Sequence, residues 1–134
     1  MSNFTQQEIE IAEKLRREGN LTQAVALYEA AANLDSVDAM RELGLIYFNG
    51  EGDIEQDFDA AFKWLSAAES YGDAKATEIL AEMYAAGNGV PKNFFRALEL
   101  TKSAADRGSV TCMKTLTQYY ESEAEYWRKR AEKA

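Results

Sequence analysis

Apolar residues recur at steps of three and four positions along most of the chain, which is the spacing of amphipathic α-helices. Ile9, Ala12 and Leu15 show this spacing near the start, and no segment shows the alternation of a half-buried strand. Between capping residues and glycines, the pattern predicts an all-α protein. The expected helices cover residues 5–18, 21–34, 37–49, 58–71, 74–86, 94–107 and 110 onward.

The apolar pattern also repeats at a longer period of 36 to 37 residues. Leu43, Leu80 and Leu116 share one register, and a small residue stands four positions before each of them: Ala39, Ala76 and Cys112. A repeated helix pair cannot bury its apolar face alone, so neighbouring pairs must stack to form the core. The period therefore predicts one domain built from stacked helix pairs.

Residues suited to helix ends recur with the same period. The expected N-caps, whose side-chain oxygens can accept from the first turn of a helix, are Asn20, Ser36, Asp57, Asp73, Asn93 and Ser109. Thr5 and Glu8 have the spacing of a capping box for the first helix. Glycines are expected to end helices at Gly50, Gly72, Gly87 and Gly108.

Two segments of the chain resemble the Sel-one-like repeat. The first carries Ala39, Leu43-Gly44, Tyr47, Gly50-Glu51-Gly52, Asp57, Ala60-Ala61, Trp64, Ala67-Ala68 and Gly72. The second, over residues 76–108, has Ala81 in place of the glycine and Leu100 in place of the tryptophan. Residues 19–31 look instead like a plain tetratricopeptide repeat.

This resemblance implies a right-handed α-solenoid of antiparallel helix pairs, with about three and a half repeats. The expected units are residues 5–35, 36–72, 73–108 and a C-terminal cap at 109–134. It also implies a non-enzymatic protein–protein interaction module that binds a peptide or protein through its concave face. An adaptor, a chaperone and an inhibitor or immunity-type protein all fit this function.

By the register of the resemblance, the first helix of each pair lines the concave face. The expected partner-binding residues are Ile9, Glu13, Arg16, Asp38, Arg41, Leu45, Phe48, Lys75, Glu78, Glu82, Ala85, Thr111, Lys114 and Gln118. Leu45 and Phe48 are expected to be apolar anchors, because they lie on a stripe that stacking does not need.

The net charge of −8 predicts a basic partner and argues against nucleic acid or anionic membrane, which need basic patches. The first residues lack the basic start and apolar run of a secretory signal, and the single Cys112 allows no intramolecular disulfide. We therefore expect a cytoplasmic protein.

No residue pattern indicates a catalytic, metal or cofactor site, and we expect no enzyme activity. The chain has no histidine, which removes imidazole bases and the usual zinc sites. The acidic run from Asp53 to Asp59 resembles a calcium loop, but Phe58 stands in place of its glycine and Trp64 in place of its final glutamate. The loops at Gly50 and Gly87 lack the flanking residues of phosphate-binding motifs.

The repeat pattern breaks down after Tyr120, and two interpretations remain open. Ser122 and Glu125 could form a capping box that opens another helix. Alternatively, one helix continues from residue 110 to about 133, which is favoured because no glycine or proline marks a reversal. Such a helix would leave Trp127 and Ala131 uncovered. They are then possible dimer contacts, and the alternative function is a self-assembling structural protein that forms a homodimer through this helix.

Overall fold

The computed structural model describes residues 2–133, with side chains from residue 5 onward, and this part of the chain consists of helices and short loops. The helices are α1 (Ser2–Arg17), α2 (Leu21–Asn33), α3 (Val37–Asn49), α4 (Phe58–Ser70), α5 (Ala74–Ala86), α6 (Phe94–Asp106) and α7 (Val110–Lys133). The all-α prediction is confirmed.

Most predicted helix ends are confirmed to within one residue, and the predicted caps explain why. The side chain of Asp73 accepts from the amide of Ala76 at 2.9 Å, and Ser36, Asp57, Asn93 and Ser109 cap their helices in the same way. Asn20 stands at the N-cap position of α2, but its side chain makes no hydrogen bond to the first turn of the helix. The predicted capping box at Thr5 is wrong, since α1 already begins at Ser2.

Consecutive helices form the antiparallel pairs α1/α2, α3/α4 and α5/α6, which stack in chain order, and α7 packs on α6. Tyr28, Leu43 and Leu65 are fully buried in the core between the pairs. Gly44 lets α3 and α4 approach closely, because a Cβ atom at this position would lie 2.5 Å from the Cγ atom of Leu65.

Several aromatic side chains lie at the boundary of the core and not inside it. Tyr47, Trp64 and Tyr84 are half-buried and pack against the core. Lys63 places its Nζ atom 4.7 Å from the ring centre of Trp64. These residues cover the edge of the core, while smaller residues such as Ala39 and Ala61 fill it.

The C-terminal segment is a single helix, as favoured from the sequence. Ser122 of α7 occupies the same repeat position as Ala86, the last residue of α5. Whereas α5 ends there, α7 continues for about three more turns to Lys133. Cys112 is buried as its register predicts, and Leu116 is half-buried against α6. Five large apolar side chains on α7 are exposed: Val110, Met113, Tyr120, Tyr126 and Trp127.

Candidate functional site

The arginines predicted to line the concave face are engaged within the chain. Arg16 of α1 donates from one terminal nitrogen to Glu42 of α3 at 2.6 Å, and from Nε to Glu51 at 2.9 Å. The hydrogen bond to Glu51 is the main cause that raises the pKa of Arg16. Arg16 therefore fixes α1 to α3.

Arg41 extends this arrangement from α3 to α5. Its guanidinium donates to Asp73, the N-cap of α5, at 2.7 Å, and lies 3.2 Å from Asp38 and 3.4 Å from Glu42. Burial lowers the pKa of Arg41, but the hydrogen bond to Asp73 and the surrounding carboxylates outweigh it, so the pKa is raised. We call this set the charge network: Arg16, Asp38, Arg41, Glu42, Glu51 and Asp73.

Three of the predicted apolar contact residues belong to the core or pack against it. Ile9 is 5% exposed, so the prediction that it lines an open surface is wrong. Leu45 and Phe48 are half-buried against the core, and the ring of Phe48 meets that of Phe58 edge-on with centroids 5.7 Å apart. These contacts speak against the expectation that Leu45 and Phe48 lie on a stripe that the packing of the core does not need.

An open cleft lies further along the chain, between α5 and α7, with α6 forming its floor. It has a volume of about 230 Å³. We call it the C-terminal cleft, and its lining residues are Glu78, Ala81, Glu82, Ala85, Phe94, Ala97, Leu98, Thr101, Thr111, Cys112, Thr115, Leu116 and Tyr119. Four of the predicted residues meet here: Glu78, Glu82, Ala85 and Thr111. Glu13, Lys75, Lys114 and Gln118 are exposed outside it.

Two carboxylates lie on the α5 wall of the C-terminal cleft. Glu78 is 9% exposed, and its Oε2 atom is 3.5 Å from the Nζ atom of Lys75. Burial raises the pKa of Glu82, and the negative charge of Glu78 raises it further against a smaller opposing effect of Lys75. The cleft therefore presents the carboxylates of the nearly buried Glu78 and the more exposed Glu82 beside an apolar floor.

A row of aromatic rings lies at the edge of the C-terminal cleft. Phe94 of α6 is 55% exposed and its ring centre lies 5.9 Å from that of Tyr119 on α7. Tyr119 in turn contacts Tyr120 at 5.2 Å, and Phe94 contacts the exposed Phe95 at 6.1 Å. The row gives the cleft a rim suited to flat or apolar groups.

Sequence reasoning missed the cleft residues contributed by the second helix of the pair, because the resemblance assigns the binding face to first helices. A signal was present at Phe94. Phe94 occupies the same repeat position as Phe58. Gly89, in the loop between α5 and α6, covers Phe58 so closely that a Cβ atom on Gly89 would lie 2.7 Å from the Cβ atom of Phe58. One repeat later, the position of Gly89 is occupied by Glu125, which lies inside α7. No loop therefore covers Phe94 in the way that the α5–α6 loop covers Phe58, and Phe94 stays exposed.

Within residues 2–133, the aspartate, glutamate and cysteine side chains form no group of three or more that could hold a metal ion. None of the described helices combines the length and apolar character needed to span a bilayer.

A family model of the Sel1 repeat matches residues 15–36, 37–70 and 74–109. The first match falls where the sequence looks like a plain tetratricopeptide repeat. The fold is similar to that of a protective antigen present in uropathogenic Escherichia coli strains and displaying an SLR fold, with a TM-score of 0.81 and 25% identity over 91% of this chain. A Sel1 repeat protein from Oxalobacter formigenes gives a TM-score of 0.75 and 25% identity over 87% of this chain.

Helicobacter pylori cysteine rich protein B has the same fold, with a TM-score of 0.69 and 23% identity over 84% of this chain. The chain spans 27% of the length of the E. coli antigen, 49% of the O. formigenes protein and 90% of the H. pylori protein. These similarities confirm the expected α-solenoid architecture.

Proposed function

This chain belongs to the Sel1 repeat family, and from that premise we propose that it is a non-enzymatic protein-binding module whose C-terminal cleft holds a basic segment of a partner protein. Sel1 repeat proteins are generally protein-interaction modules. An adaptor, a chaperone and an inhibitor would all share this binding step.

The observation that carries the proposal is the pair of carboxylates on the wall of an apolar cleft. Glu78 and Glu82 lie one helical turn apart, and the floor beside them is formed by side chains such as Ala97 and Leu98. Lysine and arginine side chains match this arrangement, because their apolar stems pack on hydrocarbon while their charged ends reach carboxylates. Arginine fits best, since its flat guanidinium can also stack on Phe94 or Tyr119 at the rim.

The proposal differs from the sequence-based expectation in where the partner binds. Arg16 and Arg41 are held by the charge network, and Leu45 and Phe48 pack on the core, so a partner would have to displace these contacts to use them. In the cleft, Glu78 pairs with Lys75 of the same helix at 3.5 Å, and a basic residue of the partner could replace this contact without breaking a link between helices. The net charge of −8 favours the approach of a basic segment over longer range.

A random peptide library displayed on phage, selected against the purified chain, tests this proposal. We expect the enriched peptides to carry arginine or lysine next to an aromatic or aliphatic residue. Synthetic copies of these peptides should bind the Glu78→Gln/Glu82→Gln variant about tenfold more weakly or worse, because charge-assisted hydrogen bonds are lost.

The matched control is Asp53→Asn/Glu55→Asn, which removes the same charge from exposed positions in the loop between α3 and α4. It should leave peptide affinity nearly unchanged. If both variants weaken binding equally, or if the enriched peptides lack basic residues, the cleft is not the recognition site.

A further inference from the structure

An apolar stripe runs along α7 on a different face from the C-terminal cleft. Its residues are Met113, Thr117, Tyr120, Ala124, Trp127 and Ala131, spaced alternately by four and three positions as in the contact face of a coiled coil. All six are exposed, and Trp127 reaches 62%. We propose that this stripe binds the α7 helix of a second copy of the chain in the antiparallel direction.

The repeat register shows that this face is normally covered. Thr117 corresponds to Gly44 of α3 and Ala81 of α5. Gly44 lies directly against Leu65 of α4, and Ala81 is 6% exposed. In α7 the helix runs straight through the position where α3 and α5 end, so the chain does not fold back over Thr117 there. An antiparallel α7 from a second copy would cover the same face further along the helix, from Tyr120 to Ala131, in the usual direction of a pair.

The sizes of the stripe residues favour an antiparallel pair. With the crossing centred between Glu125 and Tyr126, Trp127 of one helix faces Ala124 of the other, and Tyr120 faces Ala131. Large residues then pack against small ones in the layers between Tyr120 and Ala131. A parallel pair would instead set the two Trp127 rings against each other and leave the alanines facing alanines.

The charges beside the stripe follow the same symmetry. In that antiparallel register, Glu121 of one helix lies beside Arg128 of the other, and Glu123 beside Arg130, and each pair occurs twice. All of these side chains are exposed on α7, where Glu123 accepts from Tyr119 and Arg130 donates to Tyr126. A parallel pair would bring together Glu123 and Arg128 only, so the antiparallel arrangement gains twice as many attractive contacts.

The stripe and the cleft occupy different sides of α7. Thr111, Thr115 and Tyr119 line the cleft, and none of them belongs to the stripe. A dimer formed through the stripe therefore leaves the cleft open, and this inference does not depend on the proposed function.

Sedimentation velocity over a rising concentration series tests the proposal on the full chain. The parent chain should approach twice the monomer mass. The variants Glu121→Arg/Glu123→Arg and Arg128→Glu/Arg130→Glu should each remain monomeric at the concentrations where the parent dimerises, because every flanking contact becomes repulsive. An equimolar mixture of the two variants should recover the dimer, since each then meets the opposite charge.

A charge exchange within one chain separates the two directions. Glu121→Arg/Arg128→Glu should keep the antiparallel dimer, whereas a parallel pair would set the new acidic residue at position 128 beside Glu123 and dissociate. The matched control is Glu125→Arg/Lys129→Glu, which exchanges an exposed ion pair of 3.1 Å outside the stripe and should change nothing.

Circular dichroism establishes that each variant keeps its helix content before its mass is interpreted. A parent chain that stays monomeric throughout the series overturns the proposal, and so does a mixture of the two charge variants that fails to associate. Dimerisation that survives both double reversals would place the interface elsewhere.

Discussion

The inner repeats and the C-terminal helix of this solenoid use equivalent positions in different ways. Leu43 and Leu80 are 0% and 3% exposed, whereas Leu116 in the same register is half-buried. Tyr84 packs edge-on against Phe62 at 6.1 Å, but its equivalent Tyr120 is 46% exposed. The residue types barely change between the repeats, so the difference comes from the helices that surround them.

Charged side chains show the same contrast. In the first half of the molecule, Arg16 and Arg41 each join carboxylates from different elements. In the C-terminal cleft, Glu78 meets Lys75 at 3.5 Å, and Glu82 has a raised pKa that reflects burial and a like charge. A repeat position becomes available for binding where the next unit of the stack does not cover it.

The largest effect expected from this contrast is on core packing. Leu43→Ala should lower the free energy of unfolding by about 2–5 kcal/mol, because it opens a cavity in an enclosed site. Leu116→Ala should cost about half as much, since water already reaches that side chain. Urea denaturation followed by circular dichroism measures both. Equal losses would mean that α7 is packed as tightly as α3.

A second prediction concerns the closest helix contact. Gly44→Ala should destabilise the chain by about 1–3 kcal/mol, because the added Cβ atom would overlap Leu65 and force a shift of α4. At the equivalent position in α7, Thr117→Ala should change stability by less than about 0.5 kcal/mol. A Gly44→Ala chain as stable as the parent would show that the α3/α4 contact can relax.

The charge network should contribute less than the core, but measurably. Arg16→Met should cost about 1–2 kcal/mol, because Glu42 and Glu51 lose a partner in a half-buried setting. Arg96→Met removes an exposed pair with Glu99 within one helix and should cost less than about 0.5 kcal/mol. If the two variants melt alike, the network does not link the repeats energetically.

The fold was predictable because each signal is local and repeated. A side chain such as Asp73 caps its helix through an amide three residues away, so a single sequence contains both partners of the interaction. The period then aligned the helices without any knowledge of long-range contacts. The error at Thr5 arose in the first turns of α1, which lie before the first matched repeat at residue 15, so that no repeated signal supported the local pattern.

The binding surface was less predictable, because it depends on which neighbours are missing. Arg41 and Phe48 look available in the sequence, yet Asp73 and Phe58 from other helices engage them. Phe94 looks like a repeat of Phe58, yet the loop that would cover it is absent. Such differences depend on the three-dimensional surroundings of each repeat, and the register alone does not contain them.

The smallest predicted effect is a pH dependence at the C-terminal cleft. The pKa of Glu82 is raised in the folded chain, so the folded state disfavours its charge more than the unfolded state does. At pH 7 the ionised carboxylate therefore lowers stability, and Glu82→Gln should raise the melting temperature slightly. As the pH falls through the raised pKa, the parent regains this stability by taking up a proton. The difference in melting temperature between the parent and Glu82→Gln should vanish near the ordinary glutamate pKa of about 4.3.

Glu55→Gln, at an exposed loop position, is the control for the general effect of removing one negative charge. A difference between the two variants that stays constant from pH 7 to about pH 4 would mean that Glu82 is as well solvated as a surface residue.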